Sequence, residues 1–328
     1  MNVLITGGAG FLGRHFSKWL LDRGHSVTII DDLSTGLDLP KWPQITRSKV
    51  DEPFIMIGDM REILPRLNRA KFDLAIHLAA VVGGREAIEG KPILGAESIE
   101  LDSIFFRWAV KSKIPKVIYM SSAAAYPVYY QCKINNTTNH IRKLSEDLLD
   151  VTDKYFNIGM PDYIYGWAKV NGEKIAQVMS EKYNLKVHIP RPFSGYGEDQ
   201  EMVYPMPAIC QRVVNKENPF IVWGSGNQAR DFIHVDDLIE GIMIRILNFN
   251  EKNFDVVNYG TGKATSFKDL AKLGNKLVGN LETEIKCLTN KPEGVYYRVA
   301  DITNMQKFFI PKISLEEGMM RVIGYLKK

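Results

Sequence analysis

The chain is poor in cysteine, with Cys132, Cys210 and Cys287 the only three in 328 residues. They are odd in number, far apart and in no metal-ligand spacing, so neither a disulfide scaffold nor a metal site is expected. No apolar run approaches the roughly 18 residues that a membrane span requires, and no membrane is expected as a partner. Charge of one sign is also scarce. The 42 Lys and Arg stand against 38 Asp and Glu, a net charge of +4, too little to imply a nucleic-acid partner. The stretch Met1–Thr6 has no basic flank and no small-residue cleavage site. The expectation is a cytoplasmic protein without a signal peptide. The glycosylation sequons at Asn135 and Asn136 then carry no meaning. With 45% apolar and 24% charged residues, the chain is neither disordered nor fibrous, and its length allows about two domains.

The first half alternates in the manner of a parallel sheet. Short apolar strands are predicted at Asn2–Ile5, Val27–Ile30, Phe54–Ile57, Leu74–His77 and Val117–Met120. Helical periodicity covers Leu12–Arg23, closed by Gly24, and Ser98–Val110. The fold class is therefore α/β, a Rossmann-type doubly wound parallel sheet with a smaller C-terminal α/β lobe. Gly and Pro punctuate the second half, from Pro190 to Gly226. The expected division is 1–185 for the first domain and 186–328 for the second, with interleaving.

Ligands on such sheets bind beyond the carboxyl ends of the strands, and there the first chemical signal lies. Thr6-Gly7-Gly8-Ala9-Gly10-Phe11-Leu12-Gly13 follows the first strand and opens the first helix, with Gly7, Gly10 and Gly13 three apart. Early glycines let backbone approach a pyrophosphate, and the helix N-terminus offers unpaired N–H groups and partial positive charge. Asp31 ends the second strand and is followed by Asp32. A carboxylate there accepts hydrogen bonds from ribose hydroxyls and repels a 2′-phosphate, which selects NAD over NADP. Asp59, ahead of Met60, ends the third strand and is placed either to take the adenine amino group or to cap the helix that follows.

The second signal is an acid/base set. Tyr165 and Lys169 are four apart, which puts both on one helix face. An ammonium beside a phenol favours the phenolate, and such a group can take a proton from a sugar hydroxyl while hydride leaves. Ser122, at the end of the fifth strand, adds a hydroxyl at the sheet edge; its alternative is a loop cap.

Together these residues resemble the extended short-chain dehydrogenase/reductase family, the nucleotide-sugar epimerases and dehydratases, over nearly the whole chain. The resemblance also rests on His77-Leu78-Ala79-Ala80, Arg191-Pro192-Phe193-Ser194-Gly195-Tyr196-Gly197, Trp223 to Asp237 with Arg230-Asp231 inside it, Asn258-Tyr259-Gly260-Thr261-Gly262, and Arg298 three before Asp301. It implies bound NAD held by Gly7, Gly10, Phe11, Leu12, Gly13, Asp31, Asp32, Asp59, Met60, Leu78, Ala79, Ala80, Tyr165 and Lys169. It implies catalysis by Ser122, Tyr165 and Lys169, and a nucleotide-diphosphate sugar touched by Ser122, with Arg230 and Arg298 on its diphosphate. A guanidinium fork suits phosphate oxygens. A homodimer built from two helices per subunit is implied as well.

The departures narrow the reaction. Dehydratases and decarboxylases of the family carry an acid in the segment that here reads Ser122-Ala123-Ala124-Ala125-Tyr126. The stretches His77–Gly84, Ser121–Pro127 and Trp223–Asp237 resemble GDP-mannose 3,5-epimerase most, yet Ala124 stands where that family uses a cysteine. The loop Glu198–Tyr204 also lacks its lysine. Glu100 and Ser194 stand where Asn is usual. From Ser122 to Tyr165 is 43 residues, a long interval whose segment 129–161 is either a lid over the sugar or a surface insertion. Oxidation at C4 of a GDP- or UDP-sugar remains, by a 4-epimerase first, a free-standing 4-dehydrogenase second and a 3,5-epimerase third. A catalytically idle NAD-binding regulator is the reading from another class.

Overall fold

The computed structural model describes residues 1–67, 71–80, 93–153, 158–248, 253–291 and 294–328. The chain begins with β1 (Asn2–Thr6), α1 (Phe11–Leu21), β2 (Ser26–Asp31), β3 (Phe54–Ile57), α2 (Met60–Ile63), β4 (Leu74–His77), α3 (Ile93–Lys111) and β5 (Lys116–Tyr119). It continues through α4 (Tyr163–Tyr183), β6 (Lys186–Pro192), β7 (Gly195–Tyr196), α5 (Pro205–Val214), β8 (Phe220–Trp223), β9 (Ala229–Arg230) and β10 (Ile233–His234). It closes with α6 (Val235–Leu247), β11 (Phe254–Tyr259), β12 (Thr265–Ser266), α7 (Phe267–Leu277), β13 (Ile285–Leu288), β14 (Tyr297–Arg298) and α8 (Leu315–Leu326).

Seven strands form one sheet in the order β11-β6-β5-β4-β1-β2-β3, and β1 runs parallel to both neighbours, β2 and β4. The predicted strands reappear with ends moved by a residue. Val3 to Thr6 are all buried, as expected of a central parallel strand covered on both faces. β3, at the edge, leaves Phe54 and Ile57 exposed. Order reverses between β1 and β4, so the crevice outside their carboxyl ends is the topological switch point. No helix among the described residues is long and apolar enough to cross a membrane, and the three cysteines are free thiols.

The chain forms two compact units. The first comprises Met1–Ala125, Asp150–Arg191 and Ile242–Val257; the second comprises Tyr126–Leu149, Pro192–Gly241 and Asn258–Lys328. A cut at 185/186 therefore places 126–149, 186–191 and 242–257 differently from the structure. The reason is pairing. β11 lies beside β6 as the last strand of the seven, which carries 254–257 back to the first unit. Leu144 bridges Ala300, which binds 126–149 to the second. The first core packs Leu4, Ile30, Phe105, Phe106, Trp108, Val117, Val187 and Ile189. The second packs Met206, Val213, Phe220, Phe232, Leu270, Met319 and Val322.

Within the first unit, β11 is pinned by charge. Asp255 accepts from Arg245 through both carboxylate oxygens at 2.8 and 2.7 Å and meets His188 Nδ1 of β6 at 2.9 Å. Burial pushes this carboxyl up, but the Arg245 and His188 hydrogen bonds outweigh it and hold it well below the usual range. A depressed carboxylate stabilises the fold above its unfolded-state value, and that stability is lost as pH falls through the folded one. Urea unfolding at stepped pH should show stability dropping below about pH 4, and Asp255→Asn should start lower at neutral pH and flatten that limb.

Candidate active site

The glycine loop is built for close approach. Gly7 has a left-handed φ of +71°, and a Cβ there would stand 2.6 Å from the Ala79 nitrogen. The Leu78 N–H donates to the Thr6 carbonyl at 2.9 Å. The turn after β1 thus lies against the Leu78-Ala79-Ala80 turn after β4, at the switch point. A Cβ on Gly13 would fall 2.5 Å from Gly8 backbone, so only glycine allows α1 to seat on the loop. Gly10 caps α1 without a side-chain hydrogen bond, and the first turn, containing Phe11, Leu12 and Gly13, holds no acid. That leaves a helix N-terminus suited to an anion.

Asp31 closes the far side of the loop. Its oxygens accept from the N–H groups of Ala9 and Leu33, each at 2.9 Å. Burial raises its carboxyl above the ordinary value, and those two N–H groups oppose the rise. Each carboxylate oxygen has a second lone pair for a ribose hydroxyl. Asp32 is taken by Ser34. Asp59 caps α2, accepting from the Arg61 N–H at 2.8 Å. Its Oδ2 also receives Arg61 Nε and Nη2 at 2.8 and 2.5 Å. The capping alternative is thus present, together with a guanidinium the sequence reading overlooked. The same guanidinium donates to Glu100 at 2.8 Å, which gives the acid that replaces Asn an ion-pair partner. Met60 is buried beside them. An uncapped helix start, a glycine turn a Cβ would fill and a carboxylate with spare lone pairs fit a dinucleotide.

Tyr165 and Lys169 both lie inside α4. The buried Lys169 ammonium donates to the Met120 carbonyl at 2.9 Å and stands 5.8 Å from the Tyr165 ring centroid and 5.3 Å from that of Tyr119. The Asp162 N–H donates to the Ala124 carbonyl at 3.0 Å, tying the start of α4 to the turn of Ser122. The Ser122 hydroxyl accepts from the Ala124 N–H at 3.1 Å, a loop cap that leaves its own proton to donate. Ser122, Tyr165 and Lys169 are thereby gathered at the ends of β4 and β5.

Beneath them runs a buried polar chain. His77 sits between Thr6 Oγ1 at 2.6 Å and Asp102 Oδ1 at 3.0 Å, and Tyr119 donates to Asp102 Oδ2 at 2.7 Å. Burial lowers the His77 imidazole and the Asp102 carboxylate only partly restores it. A neutral ring must then carry its proton on Nε2, toward Asp102, and accept from Thr6 on Nδ1. Burial, with Asp102 adding to it, pushes the Tyr119 phenol far up, so it acts as a donor. One turn beyond Lys169, Glu173 takes Arg191 bidentately at 2.9 and 2.6 Å and also accepts from Ser121. Asp102, Tyr119 and Glu173 were absent from the sequence reading. Only the spacing of Glu173, four after Lys169, could have flagged one of them.

In the second unit, Arg230 and Arg298 are registered partners on the parallel strands β9 and β14. Arg230 Nη1 donates to the Val295 carbonyl at 2.8 Å, and Arg298 Nε donates to Gln131 Oε1 at 2.6 Å. Asp231, fully buried, accepts from Thr261, Gly262 and Ala300. It thereby joins three of the separated motifs of the second half, those around Arg230, Gly260 and Arg298. Of the segment 129–161, residues 154–157 lie outside the described residues, as do 81–84 of the His77–Gly84 stretch.

A family model described as the NAD dependent epimerase/dehydratase family matches residues 3–260. A UDP-glucose 4-epimerase of Yersinia enterocolitica is 28% identical, covering 85% of this chain and 83% of its own. Among solved structures, UDP-glucose 4-epimerase of Thermotoga maritima with UDP-glucose superposes with a TM-score of 0.81 at 24% identity, covering 100% of this chain and 99% of its own. The Thermus thermophilus UDP-glucose 4-epimerase complex with NAD gives 0.80 at 20% identity, with the same coverage.

Breaking the Glu173–Arg191 pair from one side should be severe. Glu173→Gln strands a fully buried guanidinium and should cost about 3–5 kcal/mol in urea unfolding, whereas Glu173→Leu with Arg191→Met should recover most of it.

Proposed function

The chain belongs to the NAD dependent epimerase/dehydratase family, and we propose that within it the protein inverts a nucleotide-diphosphate sugar at C4. The observation that carries this reading is the gathering of Ser122, Tyr165 and Lys169 around a turn with no acid or thiol. Ala123, Ala124 and Ala125 are buried apolar residues there. Elimination of water needs a general acid at that turn, and inversion at C3 or C5 needs groups that move carbon protons. Oxidation and re-reduction at C4 need only the three side chains present.

NAD is the family's cofactor, and when bound it supplies reversible hydride acceptance. The residues that would hold it are Gly7, Gly10, Phe11, Leu12 and Gly13 at the pyrophosphate, Asp31 and Asp32 at the adenosine ribose, and Asp59 and Met60 at the adenine. Leu78, Ala79 and Ala80 flank the dinucleotide, and Lys169 takes the nicotinamide ribose. The Asp31 carboxylate repels a 2′-phosphate, which sets NAD over NADP. Tyr165 accepts the proton of the sugar C4 hydroxyl, Lys169 favours the phenolate that can do so, and Ser122 donates to the same sugar oxygen. The 4-keto sugar turns over and receives the Tyr165 proton on its return. Arg230 and Arg298 pair with the diphosphate. The Yersinia enterocolitica relative is a UDP-glucose 4-epimerase, which supports a uridine nucleotide.

Tyr165→Phe should lower kcat by roughly 10²–10⁴-fold while NAD stays bound, as read by mass spectrometry of released ligands; near wild-type turnover would remove Tyr165 from its role. The outcome at carbon is checked by turning over the nucleotide sugar in D2O. NMR should find inversion at C4 with no deuterium at C3 or C5. Deuterium at C5 would overturn the C4 reading, and accumulation of bound NADH would identify release of a 4-keto sugar in place of epimerisation.

A further inference from the structure

We propose that Gln131 is a positioning residue for Arg298, and through it for the substrate diphosphate. The inference rests on the diphosphate role given to Arg298 above. Gln131 is completely buried, and its amide is used at both ends. Oε1 accepts from Arg298 Nε at 2.6 Å. Nε2 donates to the carbonyls of Tyr126 and Pro127 at 3.0 and 3.2 Å. The amide cannot flip, because the reverse orientation would face an N–H₂ to a guanidinium and an oxygen to two carbonyls. Its main chain is held as well, since the carbonyl accepts from Tyr297 N–H at 2.9 Å, one residue before Arg298.

The support behind Gln131 is itself anchored. The Tyr126 hydroxyl, in a fully buried side chain, donates to Asn258 Oδ1 at 2.7 Å, and Asn258 Nδ2 donates to the Leu144 carbonyl at 2.7 Å. The segment 126–149 thus becomes a bracket for one arginine. An arginine gives up rotamer entropy when it is ordered. Gln131 orders the Nε edge before any ligand arrives, and that sets the plane in which both Nη groups point. The residue type matters too. A carboxylate in this place would neutralise the guanidinium and compete with phosphate, whereas a neutral amide orients the cation and adds no competing charge.

The test is calorimetry with UDP as the probe, and GDP in parallel, on the full chain. Arg298→Ala must weaken binding for the diphosphate role to hold, so an unchanged Kd there would sink that role rather than Gln131's. Given that loss, Gln131→Met should raise Kd by about 10-fold, and the double variant should bind no worse than Arg298→Ala alone. Gln131→Glu should also weaken binding, through charge. In turnover, Gln131→Met should raise KM for the nucleotide sugar with kcat kept, and NAD affinity should not move. A Kd for Gln131→Met within two-fold of wild type would overturn the proposal. So would additive losses in the double variant, since a purely structural glutamine lowers affinity in either background.

Discussion

The buried ion pair of Glu173 with Arg191 is the constraint on which the placement of Tyr165 and Lys169 depends. Both side chains are fully buried, one on α4 and one on β6. Two charges out of water are costly unless geometry and hydrogen bonds are complete. Here the bidentate fork and the Ser121 hydroxyl complete them. The pair allows one rotation of α4 against the sheet. Because Glu173 lies one turn after Lys169 and two after Tyr165, that rotation also determines where ammonium and phenol point. Stability by itself would have been served as well by apolar side chains; orientation is what the charges add.

The same economy recurs wherever motifs from distant parts of the chain meet. His77, Asp102 and Tyr119 satisfy one another in a chain that starts at Thr6, so the glycine loop, β4, α3 and β5 are cross-linked under the switch point. Asp231 does this work in the second unit. Burial raises its carboxyl, yet four donors from Thr261, Gly262 and Ala300 surround it. Unsatisfied, either acid would cost several kcal/mol; satisfied, each specifies one arrangement of loops. The arginines of β9 and β14 then stand in register because the strands that carry them are aligned through Asp231.

Much of this was legible in the sequence because it is local. Strand, glycine turn and helix follow one another within the first 21 residues, so the loop, Asp31 and the class of sheet follow from spacing alone. Tyr165 and Lys169 share a face by helix geometry. Glu100 reads as a departure in the sequence, and its partner, Arg61, is 39 residues away. Asp102 and Gln131 carry no pattern at all. Their meaning lies in partners on other elements, and a single acid or amide in a helix or loop is chemically mute until those partners are known.

The sequence by itself determined the α/β class and the glycine loop after β1, and it singled out Asp31, Ser122, Tyr165 and Lys169 as candidates, since each is marked by its place at a strand end or by its spacing along one helix face. Tertiary structure alone decided that 126–149, 186–191 and 242–257 cross the simple domain boundary. A strand completes a sheet with whichever neighbour leaves its edge unpaired, at any sequence distance. It also decided which groups hold the functional ones. Burial makes polar side chains find partners or lose stability, and those partners come from wherever the fold brings them.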